Sequence, residues 1–141
     1  MLRSNRELAR DAFAAWATGA GTVTSIFAPE MRWEIVGRSM ASRAYGSTQE
    51  FTDEMLRPFA ERFDPTAPFR PVTIRGIYAD DEQQTVAVVW DGEGTTIAGT
   101  TYRNTYAWFL TFADGKVVQG TAFFDSIAFD ELWAGVSPPQ S

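Results

Sequence analysis

The sequence predicts an α+β domain, with helices in its first half and an antiparallel sheet in its second half. In the first half, apolar residues recur every three or four positions, which is the period of an amphipathic helix. From residue 71 onward, short apolar runs are separated by polar turns, as in consecutive strands. The length of 141 residues fits one domain with its own core. We expect this domain to span residues 1–136 and residues 137–141 to form a flexible tail.

The first predicted helix begins at a capping box, in which Ser4 is the N-cap and Glu7 follows three positions later. Gly19 and Gly21 end this helix, because glycine favours the backbone conformation that follows a helix C-terminus. Its apolar face carries four residues: Leu8, Ala12, Phe13 and Trp16.

The next segment is predicted to hold a short helix, a strand and a loop. The short helix covers residues 22–27 and is stopped by Pro29. The strand covers residues 31–36, and the loop covers residues 38–46.

A second capping box, Ser47 with Glu50, predicts another long helix. Pro58 lies inside this helix and is expected to kink it or to end it early, because proline lacks the backbone N–H. The apolar residues of this helix are spaced by four: Phe51, Met55, Phe59 and Phe63.

Four strands follow, with polar turns between them. The first turn is the acidic segment 80–82, which we interpret as a turn rather than a cation site. The second is the glycine-rich segment 91–94 and the third is Asp114-Gly115. The strands are predicted over residues 71–78, 85–90, 96–112 and 116–127.

The composition excludes several classes of function. The sequence contains no cysteine and no histidine, so thiolate chemistry, histidine bases and Ser-His-Asp catalysis are ruled out. The net charge is −6, and no Lys/Arg cluster is present, which argues against nucleic-acid binding. No apolar run is long enough to span a membrane, and the first residues read as a helix rather than a signal peptide. We expect a cytoplasmic protein that needs neither a metal nor a cofactor.

The Asp114-Gly115 turn predicts the register of the last hairpin. Asp-Gly suits a two-residue type I′ turn, which would pair residue 113 with residue 116. That register places Asn104 opposite Asp125, about 5 Å apart at Cβ. A longer loop would slip the strands by one residue and put the two on opposite faces.

In this register Asp125 is a candidate general acid–base in an apolar pocket. Loss of hydration raises the pKa of a carboxylate, which suits it to proton transfer near neutral pH. Asn104 is predicted to orient Asp125, and Tyr102 or Tyr106 to donate a hydrogen bond to the substrate. The alternative is that Asp125 lies at a solvated strand end or is the N-cap of a helical segment over residues 126–133.

Aromatic residues of the predicted core could also bind a ligand. Glu34 alternates with its neighbours and is expected to point away from the pocket. Arg43 and Tyr45 lie in a loop that could cover the pocket or be solvated. The predicted ligand-binding residues are Phe13, Trp16, Trp33, Ile35, Trp90, Tyr106, Trp108 and Phe123.

Three stretches carry a resemblance to a known family. They are Phe-Ala-Pro (27–29) leading into RWEIVG (32–37), YGSTQEF (45–51), and YRNTYAWFLTFADGKVVQGTAFFD (102–125). Together with the order of elements, they resemble the SnoaL-like and ketosteroid-isomerase-like branch of the nuclear-transport-factor-2-like superfamily. The resemblance covers most of the chain.

The resemblance implies a curved antiparallel sheet wrapped by helices into a cone around an apolar pocket. It also implies a homodimer through the outer sheet face, and Asp125 matches an aspartate that acts as base or acid in several relatives. A second apolar stripe on the same strands agrees with such a dimer. This stripe consists of Phe109, Val118, Ala122 and Phe124.

Two functions are implied. The first is a cofactor-independent isomerase, cyclase or epoxide hydrolase acting on a hydrophobic ring compound. The second is a non-catalytic dimer that binds a hydrophobic small molecule. The sequence lacks the histidine of scytalone-dehydratase-like and SnoaL-like enzymes and the second aspartate of limonene-epoxide-hydrolase-like enzymes. Glu34 is the nearest match to the base of ketosteroid isomerases.

Overall fold

The structure is a computed structural model that describes residues 3–139. The ends of the predicted domain and tail, residues 1–2 and 140–141, lie outside the described residues; residues 137–139 belong to no helix or strand. The helices are α1 (Asn5–Thr18), α2 (Thr48–Phe51), α3 (Arg57–Ala60) and α4 (Ser126–Gly135). The strands are β1 (Phe27–Ile35), β2 (Ala44–Tyr45), β3 (Arg70–Asp80), β4 (Thr85–Thr95), β5 (Thr101–Ala113) and β6 (Lys116–Phe124).

The six strands form one curved, unclosed sheet in the order β2-β1-β6-β5-β4-β3. Neighbouring strands are antiparallel except for β1 and β6, which are parallel, so the sheet is mixed rather than fully antiparallel. Helix α1 packs against β3 and β4. The prediction of a cone-like α+β fold is confirmed.

Helix α1 begins and ends as predicted. The Ser4 hydroxyl accepts from the Glu7 backbone N–H at 3.1 Å, and the Glu7 carboxylate accepts from the Ser4 backbone N–H at 3.2 Å. Both contacts of the capping box are present, so two N–H groups at the helix start are satisfied. Gly19 follows the helix with a φ of 79°, a conformation that glycine adopts without steric cost.

The predicted helix over residues 22–27 is a single 3₁₀ turn, Val23–Ile26, and β1 starts at Phe27. Pro29 therefore lies inside a strand instead of stopping a helix. It is tolerated because the pairing of β1 with β6 is irregular between Phe27 and Arg32, so no ladder hydrogen bond is needed there.

Pro58 distorts the second helical segment as predicted. Between α2 and α3 the backbone forms a π-helical turn, Thr52–Leu56. Proline has no N–H, and its ring would clash with the carbonyl four residues earlier, so a widened turn relieves the contact. The N-cap is only half of the predicted capping box: the Ser47 hydroxyl accepts from the Glu50 N–H, whereas the Glu50 carboxylate pairs with Arg43 at 2.8 Å.

The glycine-rich segment 91–94 is not a turn; that prediction was wrong. Strand β4 continues to Thr95, and the connection to β5 lies at residues 96–100. The glycines are needed because aromatic rings pack directly on the strand. A Cβ at Gly92 would lie 2.1 Å from the Phe69 ring, and one at Gly94 would lie 2.8 Å from the Phe63 ring.

The hairpin between β5 and β6 has the predicted turn but not the predicted register. Asp114 and Gly115 have φ values of 50° and 77°, and Ala113 pairs with Lys116. Val118 is then an extra residue in a bulge, after which every pair shifts by one. Tyr106 consequently faces Phe124 rather than Phe123.

After the bulge, the residues at the end of β6 lie on the opposite face of the sheet from the one predicted. Ala122 is 2% exposed and belongs to the core, and Phe124 packs on Tyr106 at 5.4 Å between ring centroids. Phe123 is on the outer face, where it contacts Phe109 at 5.9 Å. The predicted outer stripe was therefore wrong at Ala122 and Phe124, because the alternation was counted through a bulge.

Candidate functional site

A cavity of about 320 Å³ lies between the concave face of the sheet and the helical segment 48–60. Aromatic rings form most of its wall. Trp90 stacks on Tyr106 at 4.4 Å, and both Trp33 and Trp90 stand edge-on to Trp108. The lining residues are Trp16, Thr22, Val23, Thr24, Trp33, Ile35, Phe51, Thr52, Met55, Leu56, Arg57, Phe59, Ala60, Pro68, Phe69, Trp90, Tyr106, Trp108, Ala122 and Phe124.

Six of the eight predicted ligand-binding residues line this cavity; whether they bind a ligand stays a prediction. They are Trp16, Trp33, Ile35, Trp90, Tyr106 and Trp108. Phe13 does not line it, because it is fully buried behind Trp16 and Trp90. Phe123 is 44% exposed on the opposite face of the sheet, as a result of the β6 bulge.

Sequence reasoning missed part of the wall. Phe51, Met55 and Phe59 were recognised only as the apolar face of a helix, but they close the cavity opposite the sheet. Their spacing of four could have predicted this position, because a helix with a broad apolar face packs against an equally broad apolar surface. Ala122 and Phe124 were missed because the bulge changed the face on which they lie.

A chain of hydrogen bonds runs from the end of β6 to the cavity wall. The Asn104 amide oxygen accepts from the backbone N–H of Thr105 at 2.8 Å and of Asp125 at 3.2 Å. Its amide nitrogen donates to the Asp125 carbonyl at 3.0 Å and to the Tyr102 hydroxyl at 2.8 Å. The Tyr102 hydroxyl is in turn 2.8 Å from the Tyr106 hydroxyl. Asn104 thus extends the sheet beyond β6 and ties it to the two tyrosines.

The chemistry of these groups fixes the direction of the first contact only. Because the Asn104 nitrogen can only donate, the Tyr102 oxygen is its acceptor. The two tyrosine hydroxyls share one hydrogen bond in which either oxygen can be the donor, since the Tyr102 oxygen has a second lone pair. One of the two phenol protons is therefore left without an acceptor among the described residues. Of the two tyrosines, Tyr106 lines the cavity.

Both tyrosines stay neutral over a wide range of pH. Burial raises the pKa of Tyr102 to about 12, against smaller lowering effects of its hydrogen bonds with Tyr106 and Asn104. Burial also raises the pKa of Tyr106 well above its usual value, and the neighbouring Tyr102 raises it further. Both hydroxyls are consequently protonated near neutral pH and can donate a hydrogen bond.

Asp125 lies outside the cavity. It is exposed and is the N-cap of α4: its carboxylate accepts from the backbone N–H groups of Ile127 at 3.0 Å and Ala128 at 3.4 Å. Asn104 is its neighbour, as expected, but holds its backbone and not its carboxylate. The predicted apolar surroundings were wrong, because β6 ends at Phe124 and the chain turns into a helix. The alternative N-cap placement is the one observed.

The other candidates do not line the cavity either. Glu34 is exposed, as predicted. Arg43 stacks over the Tyr45 ring at 3.9 Å and pairs with Glu50 and Glu54, while the Tyr45 hydroxyl donates to the Ala41 carbonyl at 2.7 Å. Arg43 and Tyr45 hold the loop in place and do not line the cavity.

The cavity wall contains no carboxylate within residues 3–139. In the same part of the chain, no three acidic side chains come together as a metal site would require, and no helix is long and apolar enough to cross a membrane. The indole N–H groups of Trp33 and Trp90 are buried without a hydrogen-bond acceptor among the described residues. Buried donors of this kind are costly unless an aromatic face receives them.

Solved structures of similar shape share this fold. A nuclear-transport-factor-2-like protein from Burkholderia thailandensis has a TM-score of 0.70 at 20% identity, covering 93% of this chain and 98% of that one. A proposed isomerase from Bacillus subtilis has a TM-score of 0.70 at 16% identity, with 97% and 100% covered. TerC, crystallised with polyporic acid, has a TM-score of 0.70 at 20% identity, with 92% and 98% covered. Identities this low show the fold alone.

The family assignment comes from the sequence itself. No curated protein matches the chain. The family model described as the SnoaL-like domain matches residues 9–120, which is well over half of the chain and includes most of α1, the helical segment and most of the sheet. The expected resemblance is confirmed, and the chain belongs to the SnoaL-like domain family.

Proposed function

We propose that this protein binds a hydrophobic ring compound in the aromatic cavity and holds an oxygen atom of that compound with the Tyr106 hydroxyl. Small-molecule binding is the general property that the family membership supports. The cavity volume of about 320 Å³ is at the lower end of the range for small-molecule sites, which suits a ligand of two or three rings.

The observation that carries the proposal is the one unused phenol proton of the Tyr102–Tyr106 pair, of which Tyr106 lines the cavity. In the arrangement in which Tyr102 donates to Tyr106, the Asn104–Tyr102–Tyr106 chain ends at the Tyr106 hydroxyl with its proton unused, and Tyr106 is a residue of the cavity wall. A ketone, quinone or ether oxygen would complete the chain. The co-crystallisation of TerC with polyporic acid supports the ligand class, as a case of ligand binding in a related fold.

Binding without chemistry is favoured over catalysis by the composition of the wall. Proton transfer needs a group whose pKa lies near the working pH and within hydrogen-bond reach of the substrate. The described lining residues include no such group, and Asp125 is engaged in capping α4. An isomerase, cyclase or epoxide-hydrolase activity with Asp125 as acid–base stays a prediction. If such an activity is detected, a loss of about 10²- to 10⁴-fold in Asp125→Asn would support this role, and full activity of the folded variant would contradict it.

The binding proposal is tested with prodan, a fluorescent naphthalene that carries one ketone. Its emission reports both an apolar site and hydrogen bonding at the ketone. We expect saturable binding to the wild type and an affinity about tenfold lower for Tyr106→Phe, since one buried hydrogen bond is lost. 2-Dimethylaminonaphthalene, which lacks the ketone, should bind both proteins equally.

Tyr102→Phe is the matched control, because it removes a neighbouring buried hydroxyl but keeps the Tyr106 donor. Its affinity for prodan should stay within about threefold of the wild type. Equal loss in Tyr102→Phe and Tyr106→Phe would contradict the assignment of the donor. Absence of saturable binding of either naphthalene to the wild type would contradict the binding function.

We also propose that two copies pair through the outer face of the sheet. Tyr78, Phe109 and Phe123 leave 63%, 41% and 44% of their surfaces exposed on that face, and neighbouring exposed apolar residues of this kind often mark a protein–protein contact. Sedimentation at micromolar concentration should give the mass of a dimer for the wild type and of a monomer for Phe123→Asp. A monomeric wild type would refute the pairing. The cytoplasmic location stays a prediction.

A further inference from the structure

We infer that the mouth of the cavity binds an anionic group, so that the ligand is an apolar ring compound with one acidic substituent. The inference rests on the proposed binding function and narrows its ligand class. It starts from Arg57, the charged residue among the described lining residues. The Arg57 side chain is 54% exposed, so its guanidinium lies at the solvent end of the cavity and not in its depth.

The other polar side chains near the mouth are hydrogen-bond donors as well. Thr22, Thr24 and Thr52 line the cavity and are exposed or half-buried. The hydroxyls of Thr22 and Thr24 are 2.7 Å apart and share one hydrogen bond, which leaves one of their two protons free for a ligand. With no carboxylate in the described wall, this rim presents donors and one positive charge.

The ion pair with Asp53 uses only part of the hydrogen-bonding capacity of Arg57. Arg57 pairs with Asp53 at 2.8 Å through one terminal nitrogen, and a guanidinium has five N–H donors. Asp53 also accepts from the Gln49 amide at 2.9 and 3.0 Å. Asp53 is thereby held on its own helical turn, and the remaining edge of Arg57 can receive a carboxylate or sulfonate.

The effect of Arg57 is expected to be local. The chain carries a net charge of −6, so its overall field repels anions rather than attracting them. Any preference for an acidic ligand must therefore come from a contact at short range. Such a contact between exposed charges weakens as salt is added, which gives it a measurable signature.

Two matched probes separate the anionic contact from ring binding. 1-Anilinonaphthalene-8-sulfonate and N-phenyl-1-naphthylamine share the same rings and differ by the sulfonate. We expect both to bind the wild type. Arg57→Gln should lower the affinity for the sulfonate about fivefold to tenfold and leave the neutral probe within about twofold, because only the sulfonate contacts the guanidinium.

Two further variants sharpen the comparison. Arg32→Gln removes the same charge from an exposed position on β1 that does not line the cavity, and it should leave the sulfonate affinity unchanged. Asp53→Asn removes the competing carboxylate and should raise the sulfonate affinity about twofold to fivefold. Added salt should weaken sulfonate binding to the wild type more than to Arg57→Gln.

The outcomes distinguish this inference from the function on which it rests. If both probes bind and Arg57→Gln matches Arg32→Gln for the sulfonate, the anionic contact is refuted and ring binding stands. If the wild type binds neither probe, both proposals fail. A selective loss for Arg57→Gln, together with a gain for Asp53→Asn, supports the contact.

Discussion

The polar side chains on the two faces of β5 are stabilised by different kinds of partner. On the inner face, the neutral side chains of Tyr102, Asn104 and Tyr106 are hydrogen-bonded to one another. On the outer face, Arg103 and Thr105 contact the carboxylate of Asp91 on the neighbouring strand. The inner residues alternate with the outer ones along a single strand, so the difference reflects their surroundings and not their place in the sequence.

The two surroundings stabilise different polar groups: an ionised carboxylate on the outer face and neutral groups on the inner face. Asp91 itself is only 3% exposed, but its partners Arg75 and Arg103 each expose 56% of their side chains to water. A buried carboxylate is thus stable where it pairs with arginines whose side chains are exposed to water. Tyr102, Asn104 and Tyr106 on the inner face are each 5% exposed and have no arginine beside them, so an ion there would lose its hydration without compensation. Neutral tyrosine and amide groups are the polar residues that this face accepts.

The largest expected effect is the loss of an inner aromatic. Trp90 is completely buried and contacts Phe13, Trp16, Tyr106 and Trp108. We expect Trp90→Ala to lower the free energy of unfolding by about 3–5 kcal/mol in urea denaturation. Val89→Ala, at the adjacent outward position, should cost less than about 1.5 kcal/mol. Similar costs for both would remove the distinction between the faces.

The second prediction concerns alkaline pH. Tyr102 titrates near pH 10 in the unfolded chain, whereas burial raises its folded pKa to about 12. Between these values the unfolded chain loses the proton and the folded protein keeps it. The stabilisation is complete below pH 10 and is lost as the pH rises to 12, by about 2–3 kcal/mol for this group.

The check is denaturation of the wild type and of Tyr102→Phe from pH 8 to 12. The variant should be less stable at pH 8, because the Asn104 amide loses an acceptor, but its stability should fall less steeply at high pH. Parallel slopes in the two proteins would show that the inner tyrosine chain does not govern alkaline unfolding.

The sequence predicted the elements whose signals are local. The capping box of Ser4 and Glu7, the Asp114-Gly115 turn and the inward alternation of Trp33 and Ile35 each follow from residues a few positions apart. The aromatic wall could be predicted for the same reason, since six of its residues lie on regular stretches of α1, β1, β4 and β5.

The rest depended on contacts between distant segments. The sequence around Gly92 predicts a turn. In the structure, the absence of a side chain at Gly92 leaves the space that the Phe69 ring occupies. The bulge at Val118 has no marker in the local sequence, yet it decides which of Phe123 and Phe124 faces the cavity. Asp125 illustrates the consequence: its neighbour Asn104 was predicted correctly, but its exposure followed from where β6 ends.

The smallest expected effect concerns the outer charge cluster. Asp91 accepts from the Arg75 side chain at 2.9 Å and from the Thr105 hydroxyl at 2.6 Å. These hydrogen bonds, of which that from Arg75 has the larger effect, hold the pKa of Asp91 below its usual value. Because both arginines are more than half exposed, water and salt screen the cluster. We expect Asp91→Asn to cost about 1 kcal/mol at pH 7 and low salt.

A depressed folded pKa also fixes the sign of the pH dependence of this cluster. The stabilisation by Asp91 is present above the unfolded pKa, near 4, and is lost as the pH falls through the lower folded value. The stability difference between wild type and Asp91→Asn should therefore be constant from pH 7 to about 5 and shrink below about 4. It should also shrink in 1 M salt, where charges are screened within about 3 Å. Asp81→Asn, in the exposed turn after β3, serves as the control and should behave as the wild type. A difference for Asp91→Asn that persists at low pH and in high salt would mean that Asp91 acts through packing, and that the outer face resembles the inner one more closely than its charges indicate.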